Sequence, residues 1–159
     1  HKLRAHLTSL GFGNVGTAMW IAPARMREAA ERAVRDLGLE PYSAIFVGDY
    51  VAGRDLKELL YESWDLKEIN DLYQHFIADF GPVRELISTE SPEPRAAFTT
   101  YLHVIDHWRK LPFRDPGLPS ELLADDWSAP EAGALFEQLV GLLEARALVY
   151  AARVLDGDS

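Results

Sequence analysis

The sequence predicts an α+β chain, with a small strand-and-helix region ahead of a longer helical one. Three observations predict it. The two strand-like apolar runs, residues 18–22 and 43–51, both lie ahead of residue 54. Between and before them the apolar spacing is helical. After residue 54 apolar side chains recur every three or four positions, the period of amphipathic helices.

Leu3, Leu7 and Leu10 form the first helical stripe, and Gly11-Phe12-Gly13-Asn14-Val15-Gly16 is turn material. Ala18-Met19-Trp20-Ile21-Ala22 reads as a short buried strand stopped by Pro23, and residues 25–37 as a helix closed by Gly38. Residues 43–51 read as a second strand. Helix, hairpin turn, strand, helix, strand is most of a ferredoxin-like unit, whose order is βαββαβ. The missing first strand belongs upstream of His1, where the chain opens without methionine and already in a helical pattern. A truncated ferredoxin-like unit over residues 1–62, followed by a helical C-terminal domain over 63–159, is therefore expected.

In the helical region Asp65 and Glu68 fit a capping box ahead of Ile69, Leu72, Tyr73, Phe76, Ile77 and Phe80. Gly81-Pro82 is expected to interrupt that helix, and Ser91-Pro92 to start the next, which carries Phe98, Tyr101, Leu102 and Ile105 on one face. A proline-rich connector follows at residues 112–119. Ser128 and Glu131 form a second capping box before a last helix reaching about Leu155, ahead of a polar end at 156–159.

Composition narrows the function. The chain has 159 residues, 25 acidic against 16 basic, and a formal net charge of −9. Nucleic-acid affinity comes largely from Lys and Arg neutralising phosphates, so these residues by themselves are not expected to bind DNA tightly. Cysteine is absent, which removes disulfides, thiolate zinc sites and cysteine nucleophiles. No secretion leader is legible and no apolar run approaches the ~18 residues of a membrane span, so a cytoplasmic protein without membrane contact is expected.

Gly11-x-Gly13-x-x-Gly16 matches the dinucleotide-binding fingerprint letter for letter. That fingerprint works between a strand and a helix N-terminus. Here the order is reversed, which leaves a glycine-rich hairpin turn. His103 and His107 stand four apart on a helix, a metal-type spacing, but without a glutamate partner or a third ligand. They read as polar residues of a partly exposed face. Asp115, Glu121, Asp125 and Asp126 could serve acid/base or cation chemistry, but beside prolines they read as turn and capping residues. There is no G-x-S-x-G. No enzyme, cofactor or metal site is expected.

The connector says more. Trp108-Arg109-Lys110-Leu111-Pro112-Phe113-Arg114-Asp115-Pro116-Gly117-Leu118-Pro119 combines aromatics, arginines and prolines, and proline orders a loop at low entropic cost. Arg109 and Arg114 can meet a carboxylate or phosphate between apolar walls from Trp108 and Phe113. The alternative is a rigid loop whose arginines cap helix ends and pair with Asp115, Asp125 or Asp126, and residue chemistry alone favours that alternative.

The run Arg109 to Pro116, then Leu118-Pro119-x-Glu121-Leu122-Leu123-x-x-Asp126-Trp127, resembles the C-terminal signature of the PaaX family of transcriptional regulators. Ala132-x-x-Leu135-Phe136 resembles the start of that family's terminal helix. Leu10-Gly11-Phe12-Gly13 and Trp20-Ile21-Ala22-Pro23 are similar to its central domain, and Trp64-Asp65-Leu66 with Tyr73 and Phe76 to the junction that follows. The resemblance implies a winged helix-turn-helix ahead of these residues, a ferredoxin-like central domain similar to small CRISPR-associated nucleases, and a helical C-terminal domain. It further implies a homodimer that represses phenylacetate-catabolic genes, reaches operator DNA through the winged helix, and lets go on binding phenylacetyl-CoA or a similar aryl-CoA. The strand missing here is the one that would carry a nuclease-like carboxylate. Asp106-His107 departs from the family pattern, which bears on effector preference.

An acyl-CoA presents phosphates and an aryl group, so basic and aromatic residues should converge on it. By residue type and position in the matching motifs, the candidates are Arg109, Arg114, Trp108, Trp127, Trp64 and Tyr73. Two other readings stand beside this one: a purely structural assembly module, and a metal-dependent hydrolase using the acidic cluster with His103 and His107.

Overall fold

The structure, a computed structural model, describes residues 2–16 and 18–157. It is mostly helical with one small antiparallel sheet, as an α+β chain should be. His1, Asp158 and Ser159, which belong to the expected chain start and polar end, lie outside the described residues. The chain forms two compact units, His1–Ile69 with Pro112–Asp125, and Asn70–Leu111 with Asp126–Ser159.

In the first unit, α1 (Lys2–Ser9) turns its one buried residue, Leu7, inward. It stops at Gly11, whose φ of 85° is open to glycine, while Phe12 N–H returns to the Leu7 carbonyl at 3.0 Å. Strand β1 (Gly13–Asn14) then pairs antiparallel with β2 (Trp20–Ile21), Gly13 facing Ile21 and Asn14 facing Trp20. The glycine fingerprint is thus a helix stop followed by a hairpin. Gly13 has a further reason to be glycine. A Cβ there would stand 2.8 Å from the Trp64 ring and 2.9 Å from Ser63 Cβ. Trp64 in turn donates its indole N–H to the Gly11 carbonyl at 2.7 Å.

Helix α2 (Arg27–Asp36) is amphipathic, burying Ala30, Ala33 and Val34, and it closes by the same type of bond, Leu39 N–H to the Val34 carbonyl at 2.9 Å. Helix α3 (Leu56–Ser63) starts at Asp55, whose carboxylate accepts from Glu58 N–H at 3.1 Å.

The expected second strand does not form. Residues 43–51 have no regular structure, and Phe46 and Val51 are 91% and 90% exposed. Val, Ile and Phe favour a pleated surface only where a neighbouring strand takes the backbone groups, and the β1–β2 pair extends no ladder to this segment. The ferredoxin-like order is therefore incomplete at its last strand within these residues.

Helix α4 (Leu66–Thr89) begins as expected, with the Asp65 carboxylate accepting from Glu68 N–H at 3.2 Å. Asp65 itself has a φ of 31°. The predicted break at Gly81-Pro82 is absent, and the helix runs through Pro82. Pro82 and Ala78 both lie on the exposed side, so water can satisfy the carbonyl that proline leaves free.

The second unit takes α4 from Asn70 onward, α5 (Pro94–Trp108) and α7 (Ala129–Leu155); the turn between, α6 (Leu111–Arg114), lies mostly in the first. Helix α5 begins at Pro94 rather than Pro92, and its most buried side chains are Ala97 and Val104. Small residues on one face let α5 lie close along α7, which buries Ala132, Leu135, Leu139, Leu143 and Ala147 at helical spacing. The second capping box does not close. Ser128 makes no side-chain cap bond; its N–H instead donates to Asn70 Oδ1 at 2.7 Å.

The Gly13 contact makes a test. Gly13→Ala should destabilise the chain by about 1–3 kcal/mol through overpacking. Gly16→Ala, which meets nothing within 4 Å, should stay within about 0.5 kcal/mol. Urea midpoints at unchanged slope would measure both, and equal midpoints would remove the steric account.

Candidate functional site

Three helices of the second unit bring aromatic rings together. Trp108, the last residue of α5, stacks on Phe136 of α7 with centroids 4.7 Å apart and planes 10° from parallel. Phe76 of α4 meets the same indole at 5.2 Å, and Tyr73, one turn earlier, at 6.1 Å. Trp127 completes the group edge-on to Tyr73 at 6.0 Å. Offset and edge-to-face contacts at these distances are the favourable aromatic geometries. Tyr73 and Phe76 are buried.

Of the six candidates, Tyr73, Trp108 and Trp127 therefore share one cluster, and Arg109 follows Trp108 directly. Arg109 is exposed and paired with Asp106 Oδ1 at 2.7 Å, while Lys110 takes the other oxygen at 3.1 Å. The Lys110 hydrogen bond, with the charges of Lys110 and Arg109, holds the Asp106 carboxyl below its ordinary range. An anion meeting Arg109 would compete with that carboxylate.

Arg114 and Trp64 belong to the first unit. Arg114 pairs with Glu68 Oε1 at 2.9 Å, and Trp64 is committed to the glycine hairpin. The connector is fixed by residues far away in sequence. Arg25 Nη2 donates to the Pro116 carbonyl at 2.8 Å, and Ala124 N–H donates to the Tyr61 hydroxyl at 3.0 Å. Gly117 N–H closes on Asp115 Oδ1 at 2.8 Å, and Gly117 carries a φ of 65°. A Cβ at Gly117 would lie 2.6 Å from Arg25 Nη2. Arg109 is thus held by Asp106 and Arg114 by Glu68.

Sequence reasoning passed over Phe136, Phe76 and Arg25 as site-shaping residues. Phe76 stands three positions after Tyr73 and Phe136 four after Ala132, so helical spacing held a signal for both. Arg25 is 91 residues from Pro116, and no local pattern marks it.

His107 sits edge-on to Phe80 at 5.3 Å, with Nδ1 2.8 Å from the His103 carbonyl. Among the described residues, no group of three or more His, Cys, Asp or Glu side chains is placed to hold a metal. No helix of the described residues is long and apolar enough to cross a membrane. An open hollow of about 370 Å3 is lined by Ala24, Arg25, Arg27, Glu28 and Glu31, with Arg27 already bound to Glu31 at 2.8 Å.

Comparison with known proteins agrees with this layout along the chain. A family model described as the PaaX protein central Cas2-like domain matches residues 1–60, and one described as the PaaX-like protein C-terminal domain matches residues 64–153. The transcriptional repressor PaaX of Escherichia coli (strain K12) is 26% identical over 145 residues, which cover 88% of this chain and 46% of that protein. The chain thus spans less than half the length of its relative. With two consecutive domain models in family order across nearly all its length, the chain belongs to the PaaX family of transcriptional repressors.

Proposed function

We propose that these residues are the effector-binding and dimerisation portion of a PaaX-like repressor that controls phenylacetate catabolism in the cytoplasm. Residues 1–62 act as a central domain of ferredoxin-like type and residues 63–159 as a helical C-terminal domain. The observation that carries the reading is the succession of the two family domains along one chain. The net charge of −9 supports a division of labour in which operator DNA is met by a winged helix outside these residues. The chain performs no catalysis in this reading and holds no cofactor.

The effector is phenylacetyl-CoA or a similar aryl-CoA. In the second unit Tyr73, Trp108 and Trp127 would receive the aryl group, with Arg109 turning from Asp106 to a phosphate. In the first, Arg114 and Trp64 are the corresponding pair of basic and aromatic candidates. Asp106 makes that exchange selective, since only a strongly anionic ligand outcompetes a carboxylate held by both Arg109 and Lys110.

One observation favours a second reading, an assembly module that binds no ligand. The Trp108 face is already covered by Phe136. Nothing in the arrangement of His103, His107 and the acidic cluster favours a metal-dependent hydrolase.

Thermal melting separates the first two readings. Phenylacetyl-CoA at 100 times its Kd should stabilise the native state by about 2.7 kcal/mol. Free CoA and phenylacetate should each have little effect. An unchanged melting temperature at saturating thioester would remove the effector site from these residues.

Arg109→Ala is the clean variant, because an exposed ion pair contributes about 0–1 kcal/mol to folding. It should melt near the parent temperature and lose most of the thioester response. Trp108→Ala should lose about 3 kcal/mol of stability as well, since it empties the cluster. An Arg109→Ala protein with the full response would exclude Arg109 from the site.

A further inference from the structure

We propose that the outward face of α7 is the seam by which two copies of this chain associate, the two helices lying antiparallel. The inference rests on the homodimer of the reading above and assigns it a surface.

At 100° per residue, the buried residues Ala132, Leu135, Leu139, Leu143 and Ala147 occupy one side of α7. The opposite side carries Ala134, Gln138, Gly141, Ala145, Leu148, Ala152 and Leu155, all exposed. Their spacing alternates strictly between four and three over about three heptads, the repeat of a helix that meets another helix along its length. Leu148 and Leu155 are 62% and 86% exposed, and Leu142 and Val149 beside them 42% and 45%. A helix apolar on both sides is a buried helix. Here the unit buries one of the two and touches the other at Gln138, whose Oε1 accepts from Arg84 Nη1 at 2.9 Å.

The seam is complementary to itself. With the helices antiparallel, each Ala145 faces Leu148 of the second copy, and Gly141 faces Ala152. Small side chains thus receive large ones and the backbones come close. The flanks agree. Leu142 and Val149 edge one side of the seam, Glu137 and Glu144 the other, and all four are exposed. Antiparallel helices bring like edges together, so Leu142 meets Val149, and Glu144 lies beside Ala151. Parallel helices would set each glutamate against the other copy's Leu142 or Val149 and stack Gly141 on Gly141, leaving gaps.

Sedimentation equilibrium of the 159-residue chain tests this. The parent should be a dimer at ~100 µM, a concentration well above the Kd of a stable interface. Leu148→Glu should weaken association at least tenfold with an unchanged helical circular-dichroism spectrum, because position 148 faces solvent in the monomer. Phe46→Asp, on the other exposed apolar stretch, should leave the dimer intact. A monomeric parent overturns the proposal. So does a Leu148→Glu protein that stays dimeric, although the dimeric repressor reading then stands on another surface.

The absence of native cysteine gives a second readout that does not depend on a charged substitution. Under mild oxidation, a mixture of Ala145→Cys and Leu148→Cys proteins should cross-link faster than either alone. Faster cross-linking of Ala145→Cys with itself would mean a parallel seam and overturn the antiparallel one. The response of melting temperature to phenylacetyl-CoA is independent of all these outcomes, so a failure of the seam and a failure of the effector reading remain distinct.

Discussion

The packing of the second unit turns on one indole. Trp108 ends α5, and at that point Phe76 from α4 and Phe136 from α7 close on it, with centroids at 5.2 and 4.7 Å. Small residues do the rest. Ala97 and Val104 on α5 and Ala132 and Ala147 on α7 are almost wholly buried, which lets helices approach at short distance while the large ring fills the end of the interface. Gly133 belongs to the same device, with a Cβ at that position meeting the Trp108 ring at an ordinary 3.7 Å. The family motif that ends at Trp127 thus brackets a packing centre, and the charged residues after Trp108 inherit a fixed starting point from it.

A comparable economy holds in the first unit, where charge and geometry fix the connector. Arg25 reaches Pro116, Arg114 reaches Glu68, and Tyr61 receives Ala124 N–H. Each contact alone is modest, and exposed ion pairs contribute little to stability. Together they tie a proline-stiffened loop to elements more than forty residues away. What they provide is position. Trp64 does the same for the glycine hairpin by combining a donated hydrogen bond with a ring that admits no Cβ at Gly13.

What the sequence made legible was whatever depends on local chemistry. The closure of α2 at Gly38, the cap at Asp65, the hairpin and the long last helix all follow from residues within a turn or two of one another. Residues 43–51 misled because strand preference is a statement about packing against a neighbour, and none is provided within these residues. Pro82 misled because its cost depends on which side of the helix it faces, which local sequence does not state. The candidate site divides in the same way. Trp108 ends α5 and Trp127 lies just ahead of α7, and both meet Tyr73 inside α4. The carboxylate that Arg109 meets is local, Asp106 three residues earlier, whereas Glu68 opposite Arg114 is 46 residues away and could not be read from spacing.

The uncovered stretch at residues 43–51 also bears on how the protein keeps in solution. Tyr42, Phe46, Val47 and Val51 stand open beside backbone groups that no neighbouring strand engages. Short segments of high β-preference and low charge are the ones that stack between molecules as cross-β. Asp49 is the single charge within the run, placed late enough to leave Ala44-Ile45-Phe46-Val47 unguarded. Ala44-Ile45-Phe46-Val47 is thus open to such stacking in the folded chain, before any helix unwinds.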